Sequence, residues 1–161
     1  MTTSVATLRA AIKAKILTVA GMGVVNDYER YAKDQSKLSA AYASAAQAGQ
    51  RIYGWYIRRV RTAELLIDVG RNYEDHAWRI RGFMSLDDTD ATEKKLDDQI
   101  EAMRAAFRAD PTLGGICETT FREANGNQAG LQLEESEPVL FAGVLCHAAR
   151  LGLITRVYTN T

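Results

Sequence analysis

The chain has 161 residues, 47% of them hydrophobic, and its 20 Lys+Arg balance 20 Asp+Glu. That length and apolar content suffice for one core without disulfide or metal staples, so a single domain is expected over residues 1–161. Balanced charge excludes the global positive field of a dedicated nucleic-acid binder, and two cysteines, Cys117 and Cys146, make no disulfide framework.

Val5, Leu8, Ile12, Ile16 and Val19 recur at spacings of three and four, an amphipathic helix that Gly21 and Gly23 end. Met1 to Thr7 carries no secretory pattern, so the chain is expected to stay in the compartment where it is made. Val24 to Tyr31 is β-prone and is expected as a strand. From Lys33 to Gln50 the composition turns to Ala, Ser, Gln and Gly, with Leu38 and Tyr42 the only large apolar side chains. Such a stretch has little to bury, so a flexible loop is expected near 33–50, either mobile or ordering only against a partner.

Arg51–Leu66 and Asn72–Leu86 predict paired strands around a turn at Gly70. Tyr53, Trp55 and Ile57 share one face, His76, Trp78 and Ile80 share one face of the second strand, and the two tryptophans suit a cross-strand pair. Arg79 and Arg81 fall on the opposite face, the alternation of an antiparallel sheet covered on one side. Asp90 and Glu93 resemble a capping box, and Leu96, Ile100, Met103 and Phe107 predict a second helix ending before Pro111. Asp110 to Gly115 is turn chemistry, Ile116–Glu123 alternates like a strand, and Asn125-Gly126-Asn127 breaks it. Glu137–Leu145 and Leu151–Tyr158 read as final strands, central in the sheet or buried against a neighbour. Val139–Cys146, the longest apolar run, is far shorter than the roughly 20 residues that cross a bilayer, so no membrane span is expected. The order predicts an α+β fold, a mainly antiparallel or mixed sheet of about five strands flanked by two principal helices.

No catalytic, metal or cofactor site is expected. Cys146 and His147 are adjacent on a strand and leave opposite faces, neither cysteine has a C-x-x-C partner, and nothing local joins Cys117 to His76 as nucleophile and base. Asp87, Asp88 and Asp90 lack the spacing of a calcium loop and suit the positive end of a helix. Gly21-Met22-Gly23 and Gly114-Gly115 lack the remainder of a phosphate loop. The most informative feature is an asymmetry: Arg51, Arg58, Arg59, Arg61, Arg71, Arg79 and Arg81 crowd the hairpin, while Asp87 to Asp110 is acidic, including Asp97, Asp98 and Glu101. A basic strip can touch nucleic-acid phosphates, can meet the acidic helix of a second copy head to tail, or can be a solvated face.

Several segments in order resemble the tail terminator, or tail completion, proteins of long-tailed bacteriophages. They are Gly23 to Tyr31 after a first helix, Trp55 to Arg59 in an early strand, and His76-Ala77-Trp78-Arg79-Ile80-Arg81-Gly82. An Asp-rich turn, a helix from Glu93 to Phe107, the phrase Asp110-Pro111-Thr112-Leu113-Gly114-Gly115 and an apolar strand ending in Cys146-His147 follow. The resemblance implies a virion subunit, assembled in the bacterial host cytoplasm, that forms a ring, expected as a hexamer, on the last ring of the tail tube. Its implied partners are further copies of itself, the tail tube protein, the head–tail connector or stopper protein, and non-specifically the DNA passing through the channel. It implies no catalysis and no cofactor. Leu38, Tyr42 and the hairpin arginines become candidates for interface or lumen. Another neck component, such as a head completion or stopper subunit, is the alternative within structural proteins. A small-molecule-binding or hydrolytic domain is the alternative outside them, to be recognised by a concave cluster joining Cys117 or His76 to a carboxylate.

Overall fold

A computed structural model describes residues 3–43, 52–121 and 128–160. It is α+β: helix α1 (Val5–Leu17), strand β1 (Val24–Asn26), helix α2 (Gln35–Tyr42), strands β2 (Tyr53–Asp68) and β3 (Arg71–Ser85), helix α3 (Thr92–Ala109), then strands β4 (Thr119–Phe121), β5 (Gln132–Phe141) and β6 (Val144–Asn160). The six strands form one mixed sheet, in the order β1-β2-β3-β6, with β4 and β5 following one another along the far side of β6. Only β1 on β2 is parallel. Parallel neighbours need a crossover connection, and α2 lies on the one between β1 and β2.

The amphipathic helices pack where their apolar stripes predict. Leu8, Ile12 and Ile16 of α1 and Leu96, Ile100, Met103 and Phe107 of α3 join Tyr53, Trp55, Ile57, Trp78, Ile80, Leu151 and Leu153 in the main core. Ser4 caps α1, its hydroxyl accepting from the Thr7 amide at 3.1 Å. The Asp90 capping box does not form. Helix α3 starts at Thr92 after Ala91 in the left-handed conformation (φ 50°), and Asp90 instead pairs with Lys95. Thr92 is held by its own hydroxyl, which bonds the backbone of Asp87 and the His147 ring.

Several sequence expectations need correction. Gln35–Tyr42 is helical, with the Asp34 carboxylate accepting from the Ser36 amide at 2.8 Å as its N-cap; residues 44–50 lie outside the described residues. The helix orders against its own sheet rather than a partner. Tyr42 is 1% exposed, its ring lies edge-on to Phe83 and Phe141, and a Cβ on Gly54 would sit 2.9 Å from it. The sheet is therefore covered on both faces at this end, not on one. The first strand stops at Asn26, where the Asn26 side chain donates to the Ala41 carbonyl. Trp55 faces Gly82 and Trp78 faces Arg59, so the tryptophans share a core without being cross-strand partners. Glu137–Leu145 is not one strand: Ala142 and Gly143, both at positive φ, turn the chain from β5 into β6. The strand expected over Ile116–Glu123 is ordered as β4 at Thr119–Phe121, and the Asn125-Gly126-Asn127 break lies outside the described residues.

Candidate functional site

The antiparallel ladders set a row of side chains across the sheet face that α1 and α3 leave uncovered. Phe83 and Ala148 lie in one row, Tyr56, Arg81, Arg150 and Glu135 in the next, and Arg58, Arg79, Gly152 and Gln132 in the third. Strand alternation thus gathers Arg58, Arg79, Arg81 and Arg150 into one patch. Arg61 follows on the same face after a bulge at Val60, opposite Ala77, while that bulge leaves Arg59 on the helix-covered face, opposite Trp78. Arg51 lies outside the described residues.

Within the patch the charges are unequally satisfied. Arg58 pairs with Glu29 at 2.9 Å, and Arg150 reaches Glu134 at 3.4 Å and Glu135 at 3.0 Å. Arg81 lies over the Phe83 ring at 5.1 Å. Among the described residues Arg79 and Arg61 make no ion pair. Arg150 is the member that composition alone misses, because it stands in an apolar run and joins the patch only through register. Beside the patch, a cleft of about 290 Å³ between α2 and the sheet has walls of Tyr31, Leu38, Tyr56, Arg81, Phe83 and Leu140. Leu38 remains partly accessible there; Tyr42 also lines the cleft but is 1% exposed, and burial pushes its phenol up to about 12.

Asp97, Asp98 and Glu101 are exposed on α3, with Glu101 holding Arg104 at 2.7 Å. Helix α3 packs on the face opposite the arginine patch, so acid helix and basic face lie on different layers of one molecule. A second acidic surface, Glu134, Glu135 and Glu137, stands on β5, a strand the sequence reading did not separate from the polar stretch before it.

Past Ile57 the two strands of the hairpin differ, because β3 stays paired with β6 and buried or partly buried from Asp75 inward while β2 forms an outer edge. Beyond Ile57, β2 is exposed apart from partly buried Ala63, and the tip carries Leu65, Leu66, Ile67 and Val69, the last 97% exposed. Strand β1 covers β2 only at Gly54–Tyr56. Arg9 then donates to the Asp27 and Ile57 carbonyls and lies over the Trp78 ring at 5.5 Å, closing the edge at that point. From Arg58 to Asp68 the outer edge of β2 has no strand beside it among the described residues. Along this stretch Thr62, His76 and Glu74 are linked: the Thr62 hydroxyl is 3.0 Å from His76 Nδ1, and Glu74 is 3.2 Å from Nε2. Burial holds the His76 pKa below its ordinary value, with Glu74 opposing.

The cysteines stay apart from this set. Cys117 sits in the main core and Cys146 in the cluster under α2, with burial pushing their thiols up to about 12 and about 11. His147 leaves the opposite face from Cys146 and meets Thr92 at 2.9 Å beside a cleft of about 510 Å³. Among the described residues no three His, Cys, Asp or Glu side chains gather as metal ligands, and no helix is long and apolar enough to cross a membrane. The chain matches no protein-family model and no curated protein.

Proposed function

We propose that the chain is a structural assembly subunit of a phage virion: it closes into a ring on the end of the tail tube, ends tube polymerisation and offers the head connector a surface. The order of the segments from Gly23 to His147 supports this reading by resemblance. One structural observation carries it. Past Ile57 the outer edge of β2 has no strand beside it among the described residues, and the turn into β3 bares apolar side chains, Leu66 at 78% exposure among them, while β3 itself stays paired with β6. Long unprotected edges with apolar tips invite another chain, and a fold selected to stay monomeric blunts them. The arginine patch on the adjoining face suits either a neighbouring subunit or the phosphates of DNA in the channel.

Purified chain added to tail-tube protein during polymerisation tests the reading by electron microscopy. Tubes of arrested length with extra density at one end are expected; tubes that grow undisturbed would overturn it. Binding to purified portals instead of tubes would move the chain to another neck position.

A hydrolytic role is the second reading, favoured by the Thr62–His76–Glu74 linkage, which has the hydroxyl–imidazole–carboxylate order of a nucleophile with its base and orienting acid. The strand register supplies that order by itself, since Thr62 faces His76 and Glu74 lies two residues along. Ester hydrolysis abolished by Thr62→Ala would support it, and equal background rates in both proteins would remove it.

A further inference from the structure

Among the described residues the sheet has two long edges with no strand beside them, and they differ in charge. The outer edge of β2 from Arg58 to Asp68 begins with Arg58, Arg59 and Arg61. The outer edge of β5, whose inner edge pairs with β6, carries Glu134, Glu135 and Glu137 and ends in the exposed Leu140. The other outer strands, β1 and β4, have three residues each. We propose that the β2 edge of one copy pairs with the β5 edge of the next, continuing the sheet head to tail from subunit to subunit. This rests on the reading of the chain as a ring-forming subunit and supplies the contact that links the ring.

Direction and face both fit. β2 runs antiparallel to β3, β3 to β6 and β6 to β5, so β2 and β5 point opposite ways within one sheet. A second copy added in the same orientation therefore meets the first through an antiparallel pair, which satisfies the outward-facing backbone groups of both edges. Faces kept aligned bring like faces together. Arg58 and Arg61 emerge on the patch face, and so do Glu135 and Glu137, because Glu135 stands in the row of Arg150 and Arg81, and Glu137 in the row of Ala148 and Phe83. Pro138 has no amide hydrogen to give, which confines the useful part of the β5 edge to its acidic half, Gln132–Glu137, where a bulge at Glu134 offsets the ladder as the bulge at Val60 does on β2. The contact is heterologous, so it builds rings or filaments instead of stopping at a dimer. A two-fold β2–β2 contact would leave the glutamate edge and its apolar neighbours bare.

Charge exchange in the full chain separates these arrangements. Arg58→Glu with Arg61→Glu in one variant, and Glu135→Arg with Glu137→Arg in another, each place like charges at every subunit contact. Each variant alone is expected to run as a monomer by light scattering, and an equimolar mixture to regain the wild-type mass, because alternating copies restore opposite charges. Wild-type mass should also fall as salt rises. Hydrogen exchange on the unmutated protein gives an independent reading: amides within residues 58–68 and 132–137 should gain protection together as the protein is concentrated. A wild-type ring with both segments unprotected would overturn the edge contact and leave the ring reading standing. A glutamate-edge variant that still forms dimers would overturn it in favour of β2–β2 pairing. Wild-type monomer at every concentration, with and without tail tubes, would overturn both readings.

Discussion

Strand β2 is buried at one end and exposed at the other, although its ladder with β3 runs unbroken but for two irregularities and β3 stays buried or partly buried from Asp75 inward. At Tyr53–Ile57 the helices α1 and α3 lie on one face and α2 packs against the other, and every one of these residues is buried. From Arg58 outward β2 has β-prone residues, Val60, Thr62, Leu65 and Ile67, yet they are exposed rather than buried in the core. Strand formation is thus common to both halves, and coverage separates them. The inner half carries the burial that stabilises the domain, and the outer half of β2 adds little to it.

Trp55→Ala should be the most damaging change, because the fully buried ring lies against the Gly82 backbone in the main core. A loss of about 3–5 kcal/mol is expected in urea denaturation. Gly82→Ala strikes the same place from the other strand: its Cβ would fall 2.4 Å from the Trp55 ring, so about 1–3 kcal/mol is expected as the ring is forced aside. If either change proves neutral, the inner half does not carry the stability assigned to it.

His76 stands where the two halves join. Its ordinary pKa is 6.5, and burial lowers it in the fold. Above that pH both folded and unfolded chains hold the ring neutral, and the full stability is present. As pH falls from about 6.5 towards the lower folded pKa, the unfolded chain takes the proton first, so stability declines. The urea midpoint should drop between pH 7 and pH 5 in the wild type and drop less in His76→Gln. Smaller still, Leu66→Ala at the exposed tip should shift monomer stability by no more than about 0.5 kcal/mol while weakening association. A large stability loss there would mean that the tip packs on its own domain. Last, Cys117 and Cys146 should resist thiol reagents in the native protein and react on unfolding, since burial raises both thiols.

Periodicity made the inner half legible. Leu8, Ile12 and Ile16, the Leu96–Phe107 stripe and the alternation through Tyr53, Trp55 and Ile57 each mark a face that the fold buries. Elements without such a stripe carry no comparable signal. Gln35–Tyr42 has only Leu38 and Tyr42 to bury, and it is helical because it bridges a parallel strand pair over Gly54. Strand β5 opens with Gln132-Leu133-Glu134-Glu135-Ser136-Glu137, in which Leu133 is the one apolar side chain and is itself exposed, so no buried face announces it. The arginine patch was half legible: alternation places Arg79 and Arg81 together, but the bulge at Val60 that separates Arg59 from Arg61 and the register that brings Arg150 alongside are properties of pairing. Asp97, Asp98 and Glu101 were visible as charge, whereas their position on the layer opposite the arginines depends on where α3 docks.

Association through the β2 edge is most directly tested by the sedimentation mass of the purified chain across a concentration series, alone and with tail tubes. A ring-forming subunit predicts a rise from one copy to a single closed species, in solution or on the tube end. One copy at every concentration, unchanged by tubes, would contradict it.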